Sequence, residues 1–131
     1  MILVDTSIWL EHFRRGVAEL AALLESGLVL MHPFVLGELA CAALPWRDRT
    51  LEWLAGLTPI AVADDAEVLK FIAQRRLSAR GVGYIDAHLL ASVVLEDSRL
   101  WTRDPPLRGV AEALGLAVTA TGARNLARRL G

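Results

Sequence analysis

The chain is nearly devoid of cysteine. Cys41 is the only one among 131 residues, so no internal disulfide can form. It falls in an apolar helical pattern and is expected to be a reduced core thiol of a cytoplasmic protein. Lysine is equally scarce: Lys70 stands alone, and the other thirteen of the fourteen basic residues are arginine. Arginine suits phosphate contacts, although an arginine-rich coding bias produces the same composition. An excess of charge is also missing. Fourteen basic against fifteen acidic residues leave a formal net charge of −1. That argues against a protein that coats nucleic acid nonspecifically, but a nuclease with an acidic pocket and a basic rim remains compatible. No apolar run approaches the roughly 20 residues of a membrane span, and no basic segment precedes Ile2, so neither a membrane anchor nor a signal peptide is expected. His12, His32, His88 and Cys41 lack the spacing of a zinc site.

What is present is apolar patterning. Hydrophobic residues make up 54% of the chain, enough to build one domain over residues 1–131 with a substantial core. Ile2, Leu3 and Val4 form a short run suited to a strand buried on both faces, ended by Asp5. Thr6 or Ser7 can cap the amphipathic segment that follows. Apolar residues then recur at helical spacing on either side of Gly16, as two short helices or one kinked helix reaching Gly27. Leu28–Met31 reads as a second strand, and Phe34–Leu44 as an apolar helix with Pro33 in its first turn. A helix over Asp48–Leu57 and a short strand over Pro59–Ala63 follow. Asp64 and Glu67 have capping-box spacing ahead of a helix that runs to about Leu77. After an 80–83 loop, Tyr84–Leu95 is apolar on nearly every side and should be a central, buried helix. Leu100–Thr102 is a strand, Asp104-Pro-Pro106 opens a helix to Leu114, Leu116–Thr119 is a last strand, and a short helix carries Arg124, Arg128 and Arg129. The alternation implies a three-layer α/β/α fold with a mainly parallel central sheet.

Four carboxylates stand out by position. Asp5 ends a central strand, where open α/β sheets place their chemistry; its plain alternative is a turn or capping residue. Glu38 has Phe34, Val35, Cys41 and Ala42 three or four residues away, which puts it on an apolar face and makes an unpaired charge expensive. A structural ion pair with an arginine, or an exposed face, is the alternative. Asp86 lies in the first turn of the most apolar helix, where it could simply favour the helix dipole. Asp104 repeats the topology of Asp5, strand then acid then helix, and could be an N-cap before proline. If these four converge they repel one another, and a divalent cation is the natural compensation. Ligation by oxygen alone favours Mg²⁺ or Mn²⁺ over zinc.

Four segments carry a resemblance: Met1-Ile-Leu-Val-Asp-Thr-Ser-Ile-Trp9, His32-Pro-Phe-Val-Leu-Gly-Glu38, Ile85-Asp-Ala-His-Leu-Leu-Ala91 and Leu100-Trp-Thr-Arg-Asp104. In this order and spacing the chain resembles a PIN domain, and more closely the VapC-type toxins of toxin–antitoxin pairs, over essentially its whole length. The resemblance implies that the family's four acids are Asp5, Glu38, Asp86 and Asp104. Thr6 or Ser7 corresponds to its small hydroxyl residue, and Thr102 lies near the fourth acid. One departure is Leu107, where many members have phenylalanine. The implied activity is Mg²⁺-dependent endoribonuclease cleavage, with tRNA or ribosomal RNA as usual targets. The implied partners are a cognate antitoxin and a second copy of the chain in a homodimer.

No serine–histidine–acid or activated-cysteine arrangement suggests a covalent intermediate, and a metal-dependent nuclease needs none. Glu38 either ligates metal or positions the attacking water. Arg14, Arg15, Arg80, Arg103 and Arg108 are candidates for phosphate contact, each with the alternative of a solvated surface residue. His32, His88, Trp9 and Trp101 are expected in or beside the core. Trp46 and Trp53 flank a polar segment and are candidates for an exposed patch that binds a partner. Competing readings are a catalytically silent PIN-like module that binds RNA or protein, and a PIN nuclease that is not a toxin. Haloacid-dehalogenase phosphatases require an aspartate two residues after the first, where this chain has Ser7. Receiver domains require paired acids at the end of the first strand and a late lysine, both absent here.

Overall fold

Ile2–Val4 (β1) is buried at all three positions, as an apolar run flanked by a strand on each edge must be. A computed structural model describes residues 1–130. Three further strands, Val29–Met31 (β2), Thr58–Pro59 (β3) and Arg99–Trp101 (β4), join β1 in the order β3–β2–β1–β4. Every pairing is parallel; Ile2 stands opposite both Val29 and Arg99, and Val4 opposite Trp101. Parallel neighbours need crossovers, and helices supply them: Thr6–Arg15 (α1), Ala18–Glu25 (α2), Pro33–Ala40 (α3), Arg47–Ala55 (α4), Asp65–Gln74 (α5) and Tyr84–Leu95 (α6). Pro105–Ala113 (α7) and Ala120–Leu130 (α8) complete the chain order. The result is the three-layer α/β/α architecture.

The strand order fixes where chemistry can occur. From β1 the chain steps to β2 and β3 on one side, then returns to lay β4 on the other side of β1. The segments leaving the C-terminal ends of β1 and β4 therefore diverge and leave a crevice, the topological switch point of an open α/β sheet. One apolar cluster lies behind it, with Ile2, Leu3, Val4, Ile8 and Trp9 fully buried together with Leu89, Leu90 and Leu100. Each such side chain contributes roughly 1.5–3 kcal/mol. Helix α6 has Ala87 to Val93 buried without interruption, as its all-round apolar pattern predicts. The Asp64–Glu67 capping box is present in both directions: Glu67 N–H donates to Asp64 Oδ1 at 2.7 Å, and Asp64 N–H donates to Glu67 Oε1 at 3.1 Å.

Several expectations need correction. The apolar helix predicted to Leu44 stops at Ala40; Pro45 has no N–H to extend it, and Arg47 reaches back and donates to the carbonyls of Ala40 and Ala42. Cys41, at the end of that helix, is exposed instead of buried. Only Thr58 and Pro59 of the third strand region pair with the sheet. Beyond them the Ala61 and Ala63 N–H groups donate to the Glu96 and Ser92 side chains, which draws the segment onto α6. The predicted last strand shrinks to a bridge between Leu100 and Ala117. Around Gly16 the first of the two expected forms holds: two helices, broken where Gly16 adopts φ +78°, a conformation open to glycine at little cost. Among the described residues no helix is long and apolar enough to cross a membrane.

Candidate functional site

Asp5 is the N-cap residue of α1, yet its side chain caps nothing. Its N–H donates to the Trp101 carbonyl at 2.9 Å, extending the β1–β4 ladder by one residue and fixing the backbone. Its carboxylate is buried and accepts two hydroxyl bonds on one oxygen: Thr102 Oγ1 donates to Oδ2 at 2.7 Å and Ser7 Oγ at 2.9 Å. The turn-residue alternative therefore does not account for Asp5. Nor do Thr6 and Ser7 cap the helix, which begins at Thr6. Ser7 instead accepts the Arg103 N–H at 3.0 Å, and Thr6 donates to Glu38 Oε1 at 2.8 Å. Thr102 is buried and accepts the Asp104 N–H at 3.1 Å, so one hydroxyl links two of the acids.

Asp104 is exposed and caps α7 by accepting the Leu107 N–H on Oδ2 at 3.1 Å. Asp86, half-buried near the start of α6, accepts the Gly83 N–H on Oδ2 at 3.4 Å. Burial pushes the Asp86 carboxyl up. The Gly83 contact opposes this, and the charges of Asp5, Asp104 and Glu38 add to the rise. The four acids thus share one field, although they come from four separate elements. Glu38 reaches it by a route other than the expected one: its face is exposed, not apolar, and Thr6 holds its carboxylate.

Each carboxylate commits one oxygen to these bonds. Among the described residues the other oxygen accepts none. The set is all oxygen, which suits a hard divalent cation better than zinc. Among the described residues no three His, Cys, Asp or Glu side chains stand close enough to grip one ion between them. Mutual repulsion among carboxylates favours such spacing.

The remaining candidates sort clearly. His32 and His88 are buried, as are Trp9 and Trp101. His32 Nδ1 accepts the Phe34 N–H at 3.0 Å and thereby caps α3, while its Nε2 stands 3.2 Å from Ser92 Oγ. Burial, and secondarily the charge of His88, push the imidazole down to about 4. Trp46 and Trp53 are exposed, at 81% and 48%, and with Phe13, Arg49 and Thr50 line an open cleft.

Two arrangements escaped the sequence reading. Glu11 is buried and gripped by Arg15 and Arg103, two of the arginines considered for phosphate contact. The hydrogen bond from Arg15 holds its carboxyl below the usual range against the effect of burial, assisted by the charges of Arg103, Arg15 and Arg14. The i, i+4 spacing of Glu11 and Arg15 was a visible signal; the distant Arg103 left none. Asp65 Oδ1 accepts from Tyr84 Oη at 2.8 Å and lies 3.0 Å from His88 Nε2, joining α5 to α6.

The sequence matches the PIN domain model over residues 2–113. Ribonuclease VapC32 of Mycobacterium tuberculosis, in strains CDC 1551 / Oshkosh and ATCC 25618 / H37Rv, is 44% identical over 119 residues. The match covers 90% of this chain and 96% of that protein. The crystal structure of PAE2754 from Pyrobaculum aerophilum is similar with a TM-score of 0.66 at 16% identity, covering 98% of this chain and 93% of the other. FitAB bound to an IR36 DNA fragment gives 0.62 at 21% identity, covering 91% and 94%. These two structures speak for the fold, and the sequence matches for the family. The chain belongs to the PIN-domain family and is closely related to the VapC-type ribonucleases.

Proposed function

We propose that the chain is a metal-dependent endoribonuclease that acts as the toxin of a toxin–antitoxin pair. The observation that carries this reading is that Asp86, raised first by burial, is raised further by the charges of Asp5, Asp104 and Glu38, which come from three other parts of the chain. Kinship with a protein named as a ribonuclease supports the same activity. In this reading Asp5, Glu38, Asp86 and Asp104 would hold Mg²⁺, with Mn²⁺ as a substitute, after drawing closer together than they stand here. Such an ion would lower the pKa of a water and offset charge at the scissile phosphate.

The protein's own part is positioning. Thr102 and Ser7 aim Asp5 by occupying one of its oxygens and leaving the other available. Thr102 also fixes the backbone at Asp104, and Thr6 steadies Glu38, which ligates or orients the attacking water. The substrate is RNA, with tRNA or ribosomal RNA the favoured targets. A cognate antitoxin and a second copy of the chain are the expected partners, and the exposed Trp46–Trp53 face is a surface to which a protein could bind.

The test is cleavage of RNA with Mg²⁺ or Mn²⁺, with and without EDTA, by the unaltered chain and by Asp5→Asn. Cleavage that EDTA and Asp5→Asn both abolish supports the proposal; equal cleavage by both proteins rejects this site. RNA binding without cleavage under every metal condition would instead identify the silent module.

A further inference from the structure

Beside the acids, on the far side of Thr102, a cavity of about 270 Å³ opens between the end of β4, α7 and the start of α8. Its walls include Thr102, Arg103, Arg108, Glu112, Thr119 and Thr121. We propose that this cavity is a subsite for a phosphodiester of the RNA strand, flanking the one that lies over the acids. The inference rests on the nuclease reading and adds where the strand is held.

The cavity is rich in donors. Arg103 and Arg108 each engage a glutamate through Nε, and among the described residues their terminal nitrogens have no partner. Thr119 Oγ1 accepts the Gly122 N–H and keeps its own proton to donate, and among the described residues Thr121 makes no side-chain bond. A phosphate oxygen is an acceptor only, and the guanidinium fork matches it geometrically. Other arginines are spent within the fold: Arg47 on the end of α3, Arg99 on the Gly115 carbonyl and Arg124 on Glu19.

Arg103 differs from a solvated surface arginine because its anchor, Glu11, is buried. The Arg103 N–H is held as well, by Ser7 Oγ. Its guanidinium therefore stands ready with less side-chain entropy left to lose on binding. Glu112 is the one carboxylate in the wall. Its 3.4 Å pair with Arg108 joins two side chains more than half exposed, and an entering phosphate can displace it.

Adjacency follows from a shared residue. Thr102, one of the residues that line the cavity, also donates through its hydroxyl to Asp5. A strand whose scissile phosphate lies over the acids brings a neighbouring phosphate to this wall. The guanidinium and hydroxyl groups of its wall suit phosphate and ribose oxygens, so recognition here reads the backbone and not the base.

The test measures binding of a fluorescent single-stranded oligoribonucleotide to chains that carry Asp5→Asn, across a salt series. Each phosphate contact removed should reduce the slope of log K against log salt by about 0.7. Arg108→Gln should lower the slope by about one contact, and Arg103→Gln combined with it should lower the slope further. Arg129→Gln, at the far end of α8, should leave it unchanged. Glu112→Gln should tighten binding, which loss of a merely structural contact would not do. In the cleavage assay Arg108→Gln without Asp5→Asn should raise KM with little change in kcat. An unchanged slope and KM for Arg108→Gln, with cleavage by the unaltered chain intact, overturns the subsite and leaves the nuclease reading standing. If the unaltered chain neither binds nor cuts RNA, both fall.

Discussion

Acidification from pH 7.5 to 5 should destabilise the fold through His32 alone by about 2 kcal/mol. The imidazole is fully buried, and its Nδ1 lone pair caps α3 by accepting the Phe34 N–H. Protonation would remove that acceptor and put a charge in the core. The folded imidazole titrates at about 4, against 6.5 ordinarily. Between these values the unfolded chain binds more protons than the folded one, so stability falls as pH falls and is fully present above the unfolded pKa. At pH 5 the folded ring is still mostly neutral while the unfolded ring is almost wholly protonated. One pKa unit corresponds to about 1.4 kcal/mol, and about one and a half units of the gap have been traversed at that pH. The assay is urea unfolding at pH 7.5, 6 and 5, comparing the unaltered chain with His32→Asn. Asparagine is a competent helix cap and does not titrate. Its smaller volume will lower stability at every pH, so the informative quantity is the slope. The two curves should converge by about 2 kcal/mol as the pH drops to 5. Parallel curves would refute the assignment of a neutral, capping His32.

Two other outcomes follow from the geometry. Asp86→Asn removes a charge that burial and three neighbouring carboxylates disfavour, so at pH 7 the variant should melt at a higher temperature than the unaltered chain while RNA cleavage is lost. A lower melting temperature by calorimetry would mean that the Gly83 contact outweighs the repulsion. Cys41 is exposed, so a thiol reagent should label it in the native state without denaturant. Labelling that required denaturant would show a covered cysteine.

How much of this was legible in the sequence depended on whether the deciding contact was local. The run Ile2–Val4, the Asp64–Glu67 box and the all-apolar Tyr84–Leu95 helix each announce themselves within a dozen residues, and each stands where the pattern put it. The failures turn on contacts that lie outside the pattern that was read. Nothing near Pro59 signals that, once the Ile60 N–H has bonded to Met31 of β2, those of Ala61 and Ala63 will bond to Glu96 and Ser92 instead of a neighbouring strand. The end of α3 depends on Arg47, beyond the apolar pattern that suggested a longer helix. Glu38 was singled out on a premise that the fold does not meet. Its supposed apolar face is open to solvent, and the field it exerts on Asp86 comes from tertiary placement that helical spacing does not encode. Conversely, Asp5 and Asp104 share one topology in the sequence but separate in the fold, the first buried with an uncommitted cap and the second exposed and capping α7.

The hydroxyl that steadies Asp5 belongs to Thr102, and the bond spans 97 positions of chain. Synthesis proceeds from the N-terminus, and early segments can begin to fold before later ones emerge. A nascent chain that has already exposed Asp5, Glu38 and Asp86 still lacks β4, and with it Thr102 and Asp104 beyond its end. The switch point does not exist until β4 docks against β1. The four acids are brought together only when the last strand of the sheet arrives, late in the making of the molecule.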